Sequence, residues 1–240
     1  ETANRLNLRV LDEAQAAIRE ATPVQARYPI ISTDRAIPAA LCGALARRTE
    51  ALRAAARPAA ASDLPPDAET PLPSEDPESL HLPQGTIDLT FEGSAGQGFA
   101  VFTTRGLKLT LVGEANDAVA KAMSGGEVIV RPFDTAGYPA EASAIIGNCA
   151  LYGATGGALY VRGRAADRFA VRNSGATAIV EGVGLHACEY MTRGTVVILG
   201  STSDNVGAGM TGGQLILAAD QAHHLNLQYV RQEALGPEEI

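Results

Sequence analysis

The sequence predicts an all-β fold, a parallel β-helix of about seven turns preceded by a short helical segment. Three observations carry that prediction: small-residue turns recur at a nearly fixed interval, a β-rich run follows each turn, and 25 of the 240 residues are glycine. The turns align as Met123-Ser124-Gly125-Gly126, Ala154-Thr155-Gly156-Gly157, Asn173-Ser174-Gly175-Ala176, Met191-Thr192-Arg193-Gly194 and Met210-Thr211-Gly212-Gly213, with offsets of 31, 19, 18 and 19 residues. Residues 127–130, 158–161, 177–180, 195–198 and 214–217 follow them as short apolar or β-branched runs, so strands come after turns at a fixed count. Two earlier runs, 86–91 and 107–111, lead into Gly93 and Gly113 and bring the expected total to seven. A period near nineteen is too short for a βαβ unit of about thirty residues, which leaves coils whose strands stack about 4.8 Å apart. Gly126, Gly157, Gly175, Gly194 and Gly213 are the expected structural corners, because a corner needs positive φ or close backbone approach. The long interval from Gly126 to Gly157 predicts a loop around residues 132–139 that leaves the stack.

The chain divides into four zones. Residues 1–57 form the helical entry segment: Asn4 or Asn7 can cap a helix with Leu11, Ala14, Ile18 and Ala21 on one face, and Thr22-Pro23 ends it. Ser32-Thr33-Asp34 offers a second cap, and residues 39–56 are rich in Ala, Leu and Arg, which favour helix. Residues 58–83 read as an acidic, Pro-rich linker with little to bury. Residues 84–230 form the β-helix domain and 231–240 a C-terminal tail.

Composition excludes several classes of function. A formal charge of -8 argues against a nucleic-acid partner, since that affinity rests on Lys and Arg neutralising phosphates. No apolar run approaches the length of a membrane span and no signal core opens the chain, which predicts no membrane partner and a cytoplasmic location. Cys42, Cys149 and Cys188 are too few and too scattered for a disulfide framework or metal site, and are expected as buried thiols. The start at Glu1 predicts a piece of a longer polypeptide and offers no amino-terminal nucleophile.

No catalytic, cofactor-binding or metal residue is expected. Gly207-Ala-Gly-Met-Thr-Gly212 matches the dinucleotide pattern in letters, but it leads into a strand-like run where that fingerprint needs a helix. Glu114 and Asp117 sit close together without a visible cleft, and Asn116 and Asn148 suit hydrogen bonds to neighbouring corners. His223-His224 reads as polar residues after the last coil. Arg162, Arg164, Arg168 and Arg172 form the densest basic cluster and are the candidate interface.

Gly93-Ser-Ala-Gly-Gln-Gly-Phe99, Tyr152-Gly-Ala-Thr-Gly-Gly157, Arg168-Phe-Ala-Val-Arg-Asn-Ser-Gly-Ala176 and Cys188-Glu-Tyr-Met-Thr192 closely resemble, in family order, the C-terminal glycine-repeat (GXGXG) domain of glutamate synthase large subunits. Ser32-Thr-Asp-Arg35 resembles the segment entering that domain. The resemblance implies a right-handed β-helix acting as a structural and inter-domain scaffold. It implies amidotransferase and FMN-binding synthase domains as partners, fused or as separate subunits. No cofactor is expected in this chain, with FMN and an iron–sulfur cluster in the rest of the parent enzyme. That enzyme makes glutamate from glutamine-derived ammonia and 2-oxoglutarate by reductive amination. Ala120 and Ala122 depart from the family, which usually has glycine there. Two rival expectations are a β-helix subunit of a formylmethanofuran dehydrogenase-like complex and a free-standing ligand-binding solenoid.

Overall fold

The computed structural model describes residues 5–56, 80–231 and 233. Most of the expected acidic linker and nearly all of the expected tail lie outside the described residues. The elements run α1 (Arg5–Glu13), α2 (Gln15–Glu20), β1 (Val24–Ile30), α3 (Ala39–Ala56), β2 (Ile87–Ala95), β3 (Leu107–Ala115), β4 (Ser124–Arg131), β5 (Ala144–Ile146), β6 (Gly156–Ala165), β7 (Ser174–Gly182), β8 (Arg193–Ile198) and β9 (Gln214–Leu217). Short 3-10 turns occupy Ala140–Ala142 and Ala219–His224.

The expected all-β right-handed β-helix of about seven turns is corrected by this arrangement. Among the described residues the architecture is α/β: one nine-stranded parallel sheet in the order β1-β2-β3-β4-β6-β7-β8-β9, with β5 pairing β3 and β6, accompanied by three α-helices. A recurring strand-after-turn count marks where strands begin. It does not state how many strands join the ladder or what lies at its end. The entry segment is not purely helical, because β1 pairs in parallel with β2 from Val24↔Ile87 to Ile30↔Gly93 and forms the first strand of the sheet.

Register explains the core. Ala26, Leu89, Leu109, Val128, Leu159, Ala178, Val196 and Leu215 are successive partners across the sheet. Two residues further on, Tyr28, Phe91, Leu111, Val130, Val161, Val180, Ile198 and Leu217 form a second ladder. Side chains two apart share a sheet face, so the alternation in each strand becomes two continuous apolar rows. These rows join one buried cluster that extends from Val10, Ile18, Leu41 and Leu45 of the helices to Val206.

The helices dock by a polar anchor as well as by apolar area. The buried face of α1 and α2 is Asn7, Val10, Ala17 and Ile18, with Ala14 between the two helices. Asn7 does not cap its own helix. Its amide donates to the Ala36 carbonyl at 2.9 Å and its oxygen accepts from the Ala40 amide at 3.3 Å, closing the start of α3 from a different helix. Tyr28 adds a second tie, donating its hydroxyl to Glu13 Oε2 at 2.6 Å. That bond, then the one from Arg9, holds the Glu13 carboxyl below its ordinary range. The close of the expected linker also has something to bury: Leu82 is in the core, and the Leu80 carbonyl accepts from Arg48 at 3.1 Å.

The connections between strands carry a feature of their own. In six of them every second residue lies at positive φ: Gly98, Ala100 and Phe102; Ala118, Ala120 and Ala122; Cys149, Leu151 and Gly153; Arg168, Ala170 and Arg172; His186, Cys188 and Tyr190; Asn205, Gly207 and Gly209. Amides two residues apart donate in turn to the following and the preceding connection, so one connection bonds both neighbours. Ala120 donates back to Phe99 O at 2.9 Å, whereas Ala118 and Ala122 donate forward to Asn148 O and Tyr152 O, both at 2.8 Å. The long insertion behaves differently: residues 132–143 leave the repeat, and β5 rejoins it by pairing Ile146 with Ala115.

Ala122 sits half-buried at φ 55°. The left-handed region costs an L-residue roughly 1–2 kcal/mol, and glycine's extra chain entropy costs roughly 0.5–1 kcal/mol. Ala122→Gly is therefore expected to stabilise the chain by about 0.5–1 kcal/mol. Ala120→Gly should gain less, because Ala120 is fully buried and its lost methyl leaves a void. Paired urea denaturation curves check the order, and a destabilised Ala122→Gly would contradict it.

Candidate functional site

The structure separates the arginine cluster into three environments. Arg162 extends from β6 to the insertion, where it lies 3.8 Å from Asp134, and Arg131 reaches the same carboxylate at 3.2 Å. Arg164 is half-buried and donates to the Val183 carbonyl at 3.3 Å. Arg168 and Arg172 belong to a connection, at φ 61° and 56°, and are exposed. Arg172 lies over the Tyr190 ring of the next connection, 6.0 Å from its centre. Thus Arg162 holds a loop, Arg164 a backbone carbonyl, and Arg168 and Arg172 face outward together.

The glycine corners also differ among themselves. Gly126, Gly157, Gly194 and Gly213 have φ of 79°, 91°, 89° and 94°. A Cβ on any of them would land on backbone or side chain of the preceding repeat, 2.6 Å from Thr104 O in the case of Gly126. Gly175 is not among the positive-φ glycines, and its Cβ would fall on the Thr155 carbonyl oxygen. Its glycine is required by close approach alone.

A ladder of side-chain acceptors runs beside these turns. Asp117 Oδ1 accepts from Asn148 N at 2.8 Å, Asn148 Oδ1 from Asp167 N at 3.1 Å, and Asp167 Oδ1 from Leu185 N at 2.9 Å. Asn116 instead bonds within its own turn, to Asp117 N at 2.8 Å. Glu114 is engaged elsewhere, by Ser94 at 2.7 Å, so Glu114 and Asp117 do not form a shared carboxylate site. His224 pairs with Asp204 at 2.7 Å and stacks near His223, and no metal-competent group of His, Cys, Asp or Glu occurs among the described residues. Gly212 and Gly213 run into β9, so Gly207–Gly212 opens a strand. No helix among the described residues is long and apolar enough to cross a membrane.

Sequence reasoning missed a basic cleft between α3 and the glycine turns. Two adjoining cavities of about 610 and 570 Å³ share His81, Arg105 and Ser124. Burial first, then Arg105, Arg53 and Arg48, pushes the His81 imidazole below its ordinary pKa. The cations come from segments far apart in the chain, so no local motif announces them. Of the three thiols expected to be buried, Cys42 and Cys188 are, and burial raises both to about 12, far from the thiolate that reaction requires, whereas Cys149 is half-buried.

The GXGXG motif family matches residues 76–239. Over 129 residues, 54% of this chain and 8% of the relative, the chain is 62% identical to the chloroplastic ferredoxin-dependent glutamate synthase of Spinacia oleracea. It is 42% identical over 209 residues to the glutamate synthase [NADH] of Schizosaccharomyces pombe, covering 87% of this chain and 9% of that one. It is 46% identical over 161 residues to the glutamate synthase [NADPH] large chain of Bacillus subtilis, covering 65% and 11%. The chain therefore spans about a tenth of the length of these relatives.

Proposed function

The chain belongs to the GXGXG motif family, and from that premise we propose that it is the glycine-repeat domain of a glutamate synthase, positioning the catalytic parts without performing their chemistry. The observation that carries the proposal is that one segment matches relatives named for three electron donors, ferredoxin, NADH and NADPH, at about a tenth of their length. A segment common to all three serves a step that does not depend on the donor. Those names favour glutamate synthase over a formylmethanofuran dehydrogenase-like subunit.

Physical features support a positioning role. One apolar core links the helices to the last repeats, and parallel ladders with stacked turns make a stiff body whose edges keep fixed spacing. Buried, protonated thiols do not serve as nucleophiles. On this reading FMN and an iron–sulfur cluster reside in the remainder of the parent enzyme, beside its amidotransferase and synthase domains. The glutamine-to-2-oxoglutarate amination belongs to that whole.

The test uses purified chain and complete enzyme side by side. The chain alone is expected to show no stoichiometric flavin absorbance and no glutaminase activity. In the complete enzyme, destabilising changes in the domain should lower activity in step with the folded fraction and leave the 2-oxoglutarate KM of the folded molecules unchanged. A yellow chain, or a selective rise in that KM at normal thermal stability, overturns the proposal.

A further inference from the structure

Five successive connections carry a large side chain either at the third positive-φ position, as with Phe102, Arg172 and Tyr190, or one residue before it, as with Lys121 before Ala122 and Tyr152 before Gly153. Phe102 N donates to Lys121 O at 2.9 Å, Ala122 N to Tyr152 O at 2.8 Å, Gly153 N to Val171 O at 2.9 Å, and Arg172 N to Glu189 O at 2.8 Å. These bonds set the connections side by side, so Phe102, Lys121, Tyr152, Arg172 and Tyr190 lie on successive connections in two registers one residue apart. At about 4.8 Å per repeat the column is roughly 19 Å long. Phe102 is 56% exposed and Tyr190 57%, although large aromatic rings ordinarily lose most of their surface on folding.

The column has an internal pattern. Each tyrosine carries the cation of the preceding connection on its ring: Lys121 lies 5.5 Å from the centre of Tyr152, and Arg172 6.0 Å from that of Tyr190. Gly209 backs the last ring, since a Cβ there would stand 2.5 Å from two Tyr190 ring carbons. Glu189, next to Tyr190 in the chain, is already engaged by Asn205 at 3.3 Å and His186 at 3.0 Å. In a chain of net charge -8, this strip presents rings and cations.

We infer that the Phe102–Tyr190 column is a docking face for an acid-bearing segment of the larger glutamate synthase polypeptide. Aromatic and Arg side chains are the residue types enriched in protein interfaces, and cations held on rings are placed to meet carboxylates. Nine-tenths of the relatives' length lies outside the region matched here, which supplies the occupant. The inference rests on the positioning role proposed above and adds which face performs it.

The test is photo-crosslinking in cells that express the protein from its native locus. A benzophenone side chain replaces Tyr190 or, on the strand face, the exposed Thr177. From position 190 the expected adduct maps to an Asp- or Glu-containing peptide of a glutamate synthase polypeptide outside residues 1–240. Arg172→Glu should cut its yield about tenfold, equivalent to about 1.4 kcal/mol, while Arg172→Lys retains it. Circular dichroism verifies that both variants are folded. Adducts from position 177 but not from 190 overturn this inference and leave the positioning role standing. An adduct from 190 to a second copy of residues 1–240 overturns it in favour of self-association. Absence of glutamate synthase adducts from both positions overturns the inference and the positioning role together.

Discussion

Valine in place of Gly113 is expected to destabilise the chain by about 3 kcal/mol or more, a fall in melting midpoint of roughly 6–12 °C for a domain of this size. Gly113 has φ 141°, and a Cβ built on it falls on the Gly93 carbonyl oxygen of the neighbouring strand. Gly93, at φ 134°, stands in the same relation to the Ile30 carbonyl oxygen. Three strands therefore meet backbone to backbone at this level, with no flexible side chain able to yield. A branched residue at Gly113 must leave its backbone region or push β2 from β3, and the second disrupts the β1 docking as well. Thr110→Val, three residues earlier on the same strand and half-buried, is the control and should stay within about 0.5 kcal/mol. A midpoint for Gly113→Val within about 3 °C of wild type would refute the expectation.

Alanine in place of Phe91 is the second large effect, at about 3–5 kcal/mol. Phe91 is fully buried, stacked on Tyr28 at 5.5 Å and 28° and edge-on to Phe99 at 5.5 Å and 80°. The ring joins β1, β2 and the first connection, and through the Tyr28 bond to Glu13 it also supports α1. Its removal leaves a cavity between the helices and the sheet, so amide protons of β1 should exchange faster than those of β7. Hydrogen exchange followed by mass spectrometry checks this. Equal acceleration in β1 and β7 would show that Phe91 serves the whole core uniformly.

How far the repeats could be read ahead of the structure is seen residue by residue. The run 127–130 and its successors became β4, β6, β7, β8 and β9, because apolar β-formers after a small-residue turn are a local signal. Strand spacing alone reads as an all-β coil count, whereas the described residues form a nine-stranded parallel sheet with three helices. The β1 strand had a local signal, since Val24, Ala26, Tyr28 and Ile30 alternate with Gln25, Arg27 and Pro29; what the sequence did not show is that it pairs with β2, more than sixty residues away. The left-handed connections were missed because Ala, Leu, Arg and Tyr avoid positive φ in isolation. A signal for them did exist, in the shared two-residue spacing of Ala118, Ala120 and Ala122 and of Gly207 and Gly209.

For the candidate site, the sequence showed that Arg162, Arg164, Arg168 and Arg172 are close along the chain, but not that they diverge. Alternation sends Arg162 outward from a strand and toward the insertion, while positive φ at Arg168 and Arg172 turns both onto another surface. The Phe102–Tyr190 column and the cleft at His81 draw on residues from separate connections, and no window of sequence contains either.

By itself the sequence determined family membership and where the strands of the repeats begin, because a strand's alternation and the small-residue turn before it are set within a few residues. Only the tertiary structure decided which strands stand side by side, that Asn7 closes a helix beginning near residue 39, and that alanines bear left-handed backbone. Those outcomes depend on free energy gathered across the core: about 1–2 kcal/mol of local backbone strain is accepted at a residue where hydrogen bonds to both neighbouring repeats and apolar burial outweigh it.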